Sequence, residues 1–263
     1  MAAAPQATTP AADTSADMQE GTAAPAAAMP RVVVLAGGRG RRLEPYTSVL
    51  PKPLMPIGDR SILEILMHRM AEAGFRDVTL CVGYLSHLIR AVFENGLDGR
   101  LSVTYVQESE PLGTAAPLRL VPNLDSTFLV MNGDLLTTFD CRELVEEHRA
   151  SGNVVTIATH KRRLVSDYGV IHFDESDARR VSAYVEKPEL TLDVSMGIYA
   201  MEPRALDFIP DDRPADFPDL VHSLLEAGER VGALPFDGLW LDIGRQDDYE
   251  KAVALWEKGI SDE

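Results

Sequence analysis

The feature that most limits what this chain can fold into is a β-branched run that ends in glycine. Val32-Val33-Val34-Leu35 leads directly into Ala36-Gly37-Gly38-Arg39-Gly40. A run with no polar residue to turn toward water reads as a strand buried on both faces, which is the situation inside a parallel sheet. Glycines at its end let backbone N–H groups approach a phosphate without a Cβ in the way, and Arg42 and Lys52 follow as cations for the same anion. The spacing departs from the Walker pattern GxxxxGK[ST] and from GxGxxG, so it supports neither a P-loop nor the dinucleotide turn of an NAD-dependent dehydrogenase.

Further along, Ile62, Leu63, Leu66 and Met70 form a helical stripe over 61–73, with Gly74 as its stop. Strands are predicted over 77–82, 101–106 and 127–131. Helices are predicted over 87–94 and 144–149, with another starting at 114–120. This alternation predicts an α/β fold: a Rossmann-like mixed, largely parallel sheet with helices on both faces. Ligands of such sheets bind beyond the carboxyl ends of the strands, so the glycine-marked ends at Gly37 and Gly133 belong to one site. A more varied region follows, with strands at 154–159, 169–173, 181–186, 194–200, 231–235 and 239–242. Helices are expected at 219–227 and 247–258, and there is no internal repeat.

Charge and cysteine usage narrow the function classes. A net charge of −16 argues against nucleic acid and anionic membrane as partners, because both demand a basic surface. Cys81 and Cys141 lack metal-type or CxxC spacing and read as reduced thiols in a reducing, cytoplasmic setting. Residues 1–29, rich in Ala, Pro and Thr, have neither the basic start nor the apolar run of a signal peptide and read as a disordered tail. The folded domain is expected over 31–263.

LAGGRGRRLEPYTSVLPKPLMPIG resembles the signature of the sugar-1-phosphate nucleotidylyltransferases, GGxGxRLxPxTxxxPKPxxP, and satisfies all of it. The resemblance continues through EPLGTA at 110–115, Asn132-Gly133-Asp134, Tyr168-Gly169-Val170, Glu186-Lys187-Pro188, Gly197-Ile198-Tyr199 and Trp240-Leu241-Asp242. It is nearest to the GDP-mannose and GDP-heptose branch. It implies a nucleotide-diphospho-sugar transferase fold with an inserted sugar-binding region, acting on an NTP and a sugar-1-phosphate or analogue; a homo-oligomer is compatible with it. Leu35, Ala36, Gly37, Gly38, Gly40, Gly113 and Thr114 would then hold the nucleotide, and Arg42 and Lys52 would act in catalysis. Gly169, Glu186, Lys187 and Ser195 would face the sugar phosphate. Asp134 and Asp242 would hold Mg²⁺, a cation that takes one or two protein carboxylates and completes its shell with phosphate oxygens and water. The attacking phosphate oxygen is already anionic at neutral pH, so the chemistry needs no general base and no histidine.

Donor and acceptor are written elsewhere. Relatives acting on UTP or dTTP carry Gln five positions before the loop glycine, where this chain has Glu108. A carboxylate only accepts hydrogen bonds, and guanine offers N1–H and an exocyclic amine side by side, so Glu108 favours GTP. Gln107, one residue earlier, keeps UTP, dTTP and CTP open. The family's Asn-Ala-Gly before Ile-Tyr appears here as Ser195-Met196-Gly197, which leaves mannose, heptose and cyclitol phosphates all as acceptors. A non-catalytic regulatory relative would be expected to have lost Lys52, Asp134 or Asp242, and all three are present.

Overall fold

The structure, a computed structural model, describes Met1 and residues 28–258. Most of the expected tail lies outside the described residues. Its last part does not stand apart from the domain: Met29 packs on the core and Pro30 is buried, so packing begins ahead of Arg31.

Strand β1 (Val32–Ala36) is buried as its sequence requires. A small hairpin, β2 (Pro56–Ile57) and β3 (Arg60–Ser61), leads to helix α1 (Ile62–Glu72). That helix begins with a capping box, in which Ser61 and Glu64 each satisfy the other's backbone N–H. Next come β4 (Asp77–Val82), α2 (Ser86–Phe93), the single turn α3 (Gly96–Gly99) and β5 (Ser102–Gln107). β6 (Phe128–Asn132) and β7 (Leu135–Thr137) flank the Gly133-Asp134 corner, and α4 (Cys141–Ser151) is capped by Asp140. β8 (Val155–Val165), β9 (Val170–Phe173), β10 (Val181–Val185) and β11 (Glu189–Met201) follow. The described chain closes with α5 (Phe217–Glu226), β12 (Val231–Phe236), β13 (Trp240–Asp242) and α6 (Gln246–Glu257).

Seven strands form one sheet in the order β12-β8-β11-β6-β1-β4-β5. Every neighbouring pair is parallel except those made by β11, which runs against both β6 and β8. The sheet is therefore mixed and largely parallel. Val32 and Val34 of β1 pack into one apolar layer with Leu63, Leu66 and Phe75, while Val33 enters the opposite layer with Leu118, Leu220 and Leu224. Alternate residues of one strand thus feed two cores, which is why the run has no polar member.

Two details differ from the sequence-based expectation. The helix expected from 114 is instead a 3-10 turn, Ala116–Leu120. Pro117 has no N–H to give an α-helix, and the N–H groups of Ala115 and Ala116 are both taken by the Ala215 carbonyl. β8 and β11 also run well past the predicted 159 and 194 limits, because their outer halves pair with each other as a projecting two-stranded arm, Glu189 opposite Val165 and Val194 opposite His160.

Cys81 and Cys141 are both free and buried, and burial pushes each thiol up to about 12. The native protein is therefore expected to resist alkylation by iodoacetamide at neutral pH, with both thiols reacting only after denaturation. Labelling of either in the folded state, read by mass spectrometry, would contradict the packing described. His148 is likewise buried, bonded to Thr156 Oγ1 at 2.8 Å and facing Glu202 at 3.2 Å, where it serves packing rather than chemistry. Among the described residues no helix is long and apolar enough to cross a membrane.

Candidate active site

The turn after β1 is shaped by glycine where shape demands it. Gly40 has φ +63°, and a Cβ there would lie 2.9 Å from Cβ of Lys52, so a side chain would both strain the backbone and push away the Pro51-Lys52-Pro53 segment. Thr47 Oγ1 donates to the Gly40 carbonyl at 3.0 Å and closes the loop. Two neighbouring strand ends are tied to the same turn: Tyr84 N–H donates to the Gly37 carbonyl at 3.2 Å, and Gly133 N–H donates to the Leu35 carbonyl at 2.9 Å.

Lys52 stands between the two aspartates. Its ammonium donates to Asp134 Oδ2 and lies 3.9 Å from Asp242 Oδ1. The meeting is enforced by backbone: β13 pairs antiparallel with β7, setting Asp242 opposite Leu135, and Ile243 N–H donates to the Asp134 carbonyl at 3.1 Å. Burial pushes the Asp242 carboxyl above the usual carboxylate range and the nearby Asp134 charge adds to this, while Lys52 and Arg42 pull the other way. Asp134 Oδ1 is buried with no hydrogen-bond partner, a polar atom that protein groups leave unsatisfied. Among the described residues no cluster of three or more His, Cys, Asp or Glu could hold a metal by itself. Two hard carboxylates, one of them with an orphaned oxygen, are the donor type that Mg²⁺ takes from a protein.

A cleft of about 310 Å³ opens beside this cluster, lined by Leu35, Gly37, Gly38, Glu108, Gly113, Thr114 and Asp134, and also by Pro111 and Asn132. Ala36 and Gly40, also expected at the nucleotide, do not line it: the first is buried in β1 and the second packs against Lys52. The Glu108 carboxylate reaches over Gly37, where a Cβ would fall 2.2 Å from Oε1, and its Oε2 accepts from Leu112 N–H at 3.4 Å. Burial pushes its pKa up, partly offset by that backbone bond. Gln107 does not line this cleft: its amide donates to the carbonyls of Gly83 and Glu108, and it lines an adjoining pocket that shares Gly37, Glu108 and Pro111.

Thr114 meets the cleft with a hydroxyl already engaged. Its N–H and Oγ1 both donate to Asp216 Oδ1, at 2.8 and 3.1 Å, while Oγ1 accepts from Phe217 N–H at 3.0 Å. Gly113, at φ +89°, makes room for this loop, since a Cβ would lie 2.6 Å from the Ala215 carbonyl. Asp216, Asn132 and Pro111 were not singled out from sequence. Asn132 was visible as the first residue of the Asn-Gly-Asp corner. Asp216 carried a helix-start signal, Asp216-Phe217-Pro218-Asp219, which forms a capping box on α5.

The residues expected to face the sugar phosphate, Gly169, Glu186, Lys187 and Ser195, do not line this cleft. Gly169 sits beneath the Tyr184 hydroxyl, which donates to Glu186 Oε2 at 3.0 Å, and Lys187 follows with φ +45° on the exposed end of the lobe. Ser195 Oγ donates to Tyr199 Oη at 3.0 Å and accepts from Gly197 N–H at 3.2 Å. Gly197 in turn faces the Asn132 amide of the cleft wall, so Ser195 is the member of this group coupled to the cleft.

Mannose-1-phosphate guanyltransferase of Candida albicans is 31% identical over 236 residues, covering 87% of this chain and 65% of that protein. UTP–glucose-1-phosphate uridylyltransferase of Synechocystis is 31% identical over 243 residues, covering 85% and 62%. The chain thus spans a little under two thirds of the length of these relatives. The crystal structure of HddC from Yersinia pseudotuberculosis complexed with GMP-PN superposes with a TM-score of 0.66 at 26% identity, covering 87% of this chain and all of that one. Residues 31–259 match the family described as nucleotidyl transferase, from the first strand through the closing helix, and the chain belongs to that family.

Proposed function

We propose that this chain transfers a nucleoside monophosphate from an NTP, GTP by preference, onto a sugar-1-phosphate or cyclitol phosphate and releases pyrophosphate. The observation that carries the reading is Lys52 set between Asp134 and Asp242 at the edge of a glycine-walled cleft. Transfer of this kind needs alignment and charge neutralisation more than proton transfer. The backbone of Gly37 and Gly38 approaches the phosphates, and Arg42 and Lys52 supply positive charge to the α-phosphate and the departing pyrophosphate. Lys187 holds the attacking phosphate in line, and Glu186 with the Gly169 backbone receives sugar hydroxyls. Asp134 and Asp242 would hold Mg²⁺, which when bound neutralises the triphosphate. Two buried free thiols support a reducing, cytoplasmic setting.

GTP is favoured because Glu108 presents an acceptor-only group in the cleft beside Gly113 and Thr114, whereas the amide donors of Gln107 are taken by the Gly83 and Glu108 carbonyls. The guanyltransferase relatives and the GMP-PN complex of HddC support the same choice, whereas the uridylyltransferase relative supports UTP. The test is a panel of GTP, ATP, CTP, UTP and dTTP against mannose-, heptose-, glucose- and cyclitol-1-phosphates, read by pyrophosphate release with Mg²⁺ and with EDTA. GTP is expected to give the highest kcat/KM, and EDTA to abolish release. No release with any pair would overturn the proposal, and a UTP or dTTP optimum would overturn its donor.

A further inference from the structure

Thr114 lines the cleft with its donors already committed, and they are committed to Asp216, which does not line it. A carboxylate only accepts hydrogen bonds, so the 3.1 Å contact between Thr114 Oγ1 and Asp216 Oδ1 fixes the place of the proton: the hydroxyl donates, and its hydrogen points at Asp216. The backbone N–H of Thr114 is spent on the same oxygen, at 2.8 Å. A threonine hydroxyl has one hydrogen and two lone pairs, and one of those lone pairs accepts from Phe217 N–H at 3.0 Å. A single lone pair is left. Whatever enters the cleft therefore meets Thr114 as an acceptor only.

The setting is held by backbone on both sides. Ala215 N–H donates to the Leu112 carbonyl at 2.9 Å, and the Ala215 carbonyl accepts from Ala115 and Ala116 N–H at 2.9 and 3.2 Å, so the loop around Thr114 is tied to the residue before Asp216. Phe217, the residue after it, is buried and stacks face to face on Tyr199 with ring centroids 3.8 Å apart. Glu108, in the same cleft, is acceptor-only as well. Guanine carries N1–H and the two N–H groups of its amine as donors. The Glu108 carboxylate suits the two that lie side by side, and the second N–H of the amine is then left to be met. We infer that Asp216 determines specificity for the donor nucleotide through Thr114: by holding the hydroxyl proton, it turns Thr114 into the acceptor for that remaining N–H. Asp216 is in this sense a positioning residue, and the inference rests on the GTP reading proposed above and deepens it. A base without the amine leaves the prepared acceptor unpaired, which is how a polar site rejects an analogue.

The test is the dissociation constant of the full chain for GTP and for inosine triphosphate, which lacks only the amine, by titration calorimetry with Mg²⁺. Wild type is expected to prefer GTP, and Thr114→Val, which removes the hydroxyl at the same size, to lower that preference roughly 10-fold. Asp216→Ser keeps a helix-capping side chain on α5 but ends one bond short of Thr114, and it should lower the preference in the same direction. Asp216→Thr, a cap of equal reach, serves should that variant fail to fold. The double variant Thr114→Val, Asp216→Ser should lose no more than Thr114→Val alone, because one residue acts through the other. Asp216→Asn keeps the accepting Oδ1 and is expected to keep the preference, which a role for the charge alone would not allow. The kcat at saturating GTP should change little in all of them, since the base lies away from the reacting phosphate. An unchanged preference in Thr114→Val or in the shortened Asp216 variants, beside a wild type that prefers GTP, overturns this inference alone, as do losses that simply add in the double variant. A wild type that binds UTP more tightly than GTP, or binds no nucleotide, overturns the proposed donor and this inference with it.

Discussion

Asp134→Asn is expected to lower kcat for pyrophosphate release by about 10²–10³-fold, the order of loss that follows removal of one preorganised electrostatic group from an active site. Asn keeps an acceptor for Lys52, so the pairing that positions the ammonium survives in weakened form. It also removes the negative charge that helps push the Asp242 carboxyl upward. Like-charge relief and a weakened ion pair act in opposite directions on stability, so the melting temperature should change little while activity collapses. The variant should in addition bind Mn²⁺, used as a spectroscopic probe, more weakly in the presence of the nucleotide. Activity within a few-fold of wild type would remove Asp134 from the metal and phosphate chemistry. A large drop in melting temperature would instead show that its role is mainly structural.

The second large effect is on donor choice. Glu108→Gln places an amide, with one acceptor and two donors, where a carboxylate offered acceptors alone. A well-formed paired contact to a base edge discriminates by about 1–3 kcal/mol, so the ratio of kcat/KM for GTP over UTP should fall roughly 10- to 100-fold. Most of the change should appear in KM for GTP, because the base lies away from the reacting phosphate. Gly37→Ala offers an independent route to the same end. Its Cβ would collide with the far end of the flexible Glu108 side chain and move the carboxylate off the cleft wall without removing its charge. If neither variant alters the GTP to UTP ratio, base recognition lies elsewhere and Glu108 is an acid held by Leu112 alone.

Much of the site's chemistry was legible because it is written locally. The buried run of β1, the glycines that follow it and the Pro51-Lys52-Pro53 segment lie close together in sequence, and each answers to backbone sterics or phosphate charge. Glu108 was distinguished by its spacing from Gly113, and its carboxylate does face the cleft. The 3-10 turn at Ala116–Leu120 is not legible locally, because the acceptor that competes for its first N–H groups, the Ala215 carbonyl, comes from a distant segment. Asp216 was passed over for the same reason. Its helix-capping role is local and visible, whereas its grip on Thr114 depends on α5 docking beside the cleft.

By itself, then, the sequence determined the alternating α/β layers, the phosphate turn and the residue types able to meet an NTP, since these follow from periodicity, glycine conformation and charge. Only the tertiary structure decided which of them meet. Antiparallel pairing of β13 with β7 brings Asp242 beside Asp134 and Lys52, and strand register sets Leu164 opposite Leu190 on the projecting arm. Residues far apart in the chain become neighbours through backbone hydrogen bonds whose partners no local pattern specifies, and those bonds are formed only when the sheet is complete.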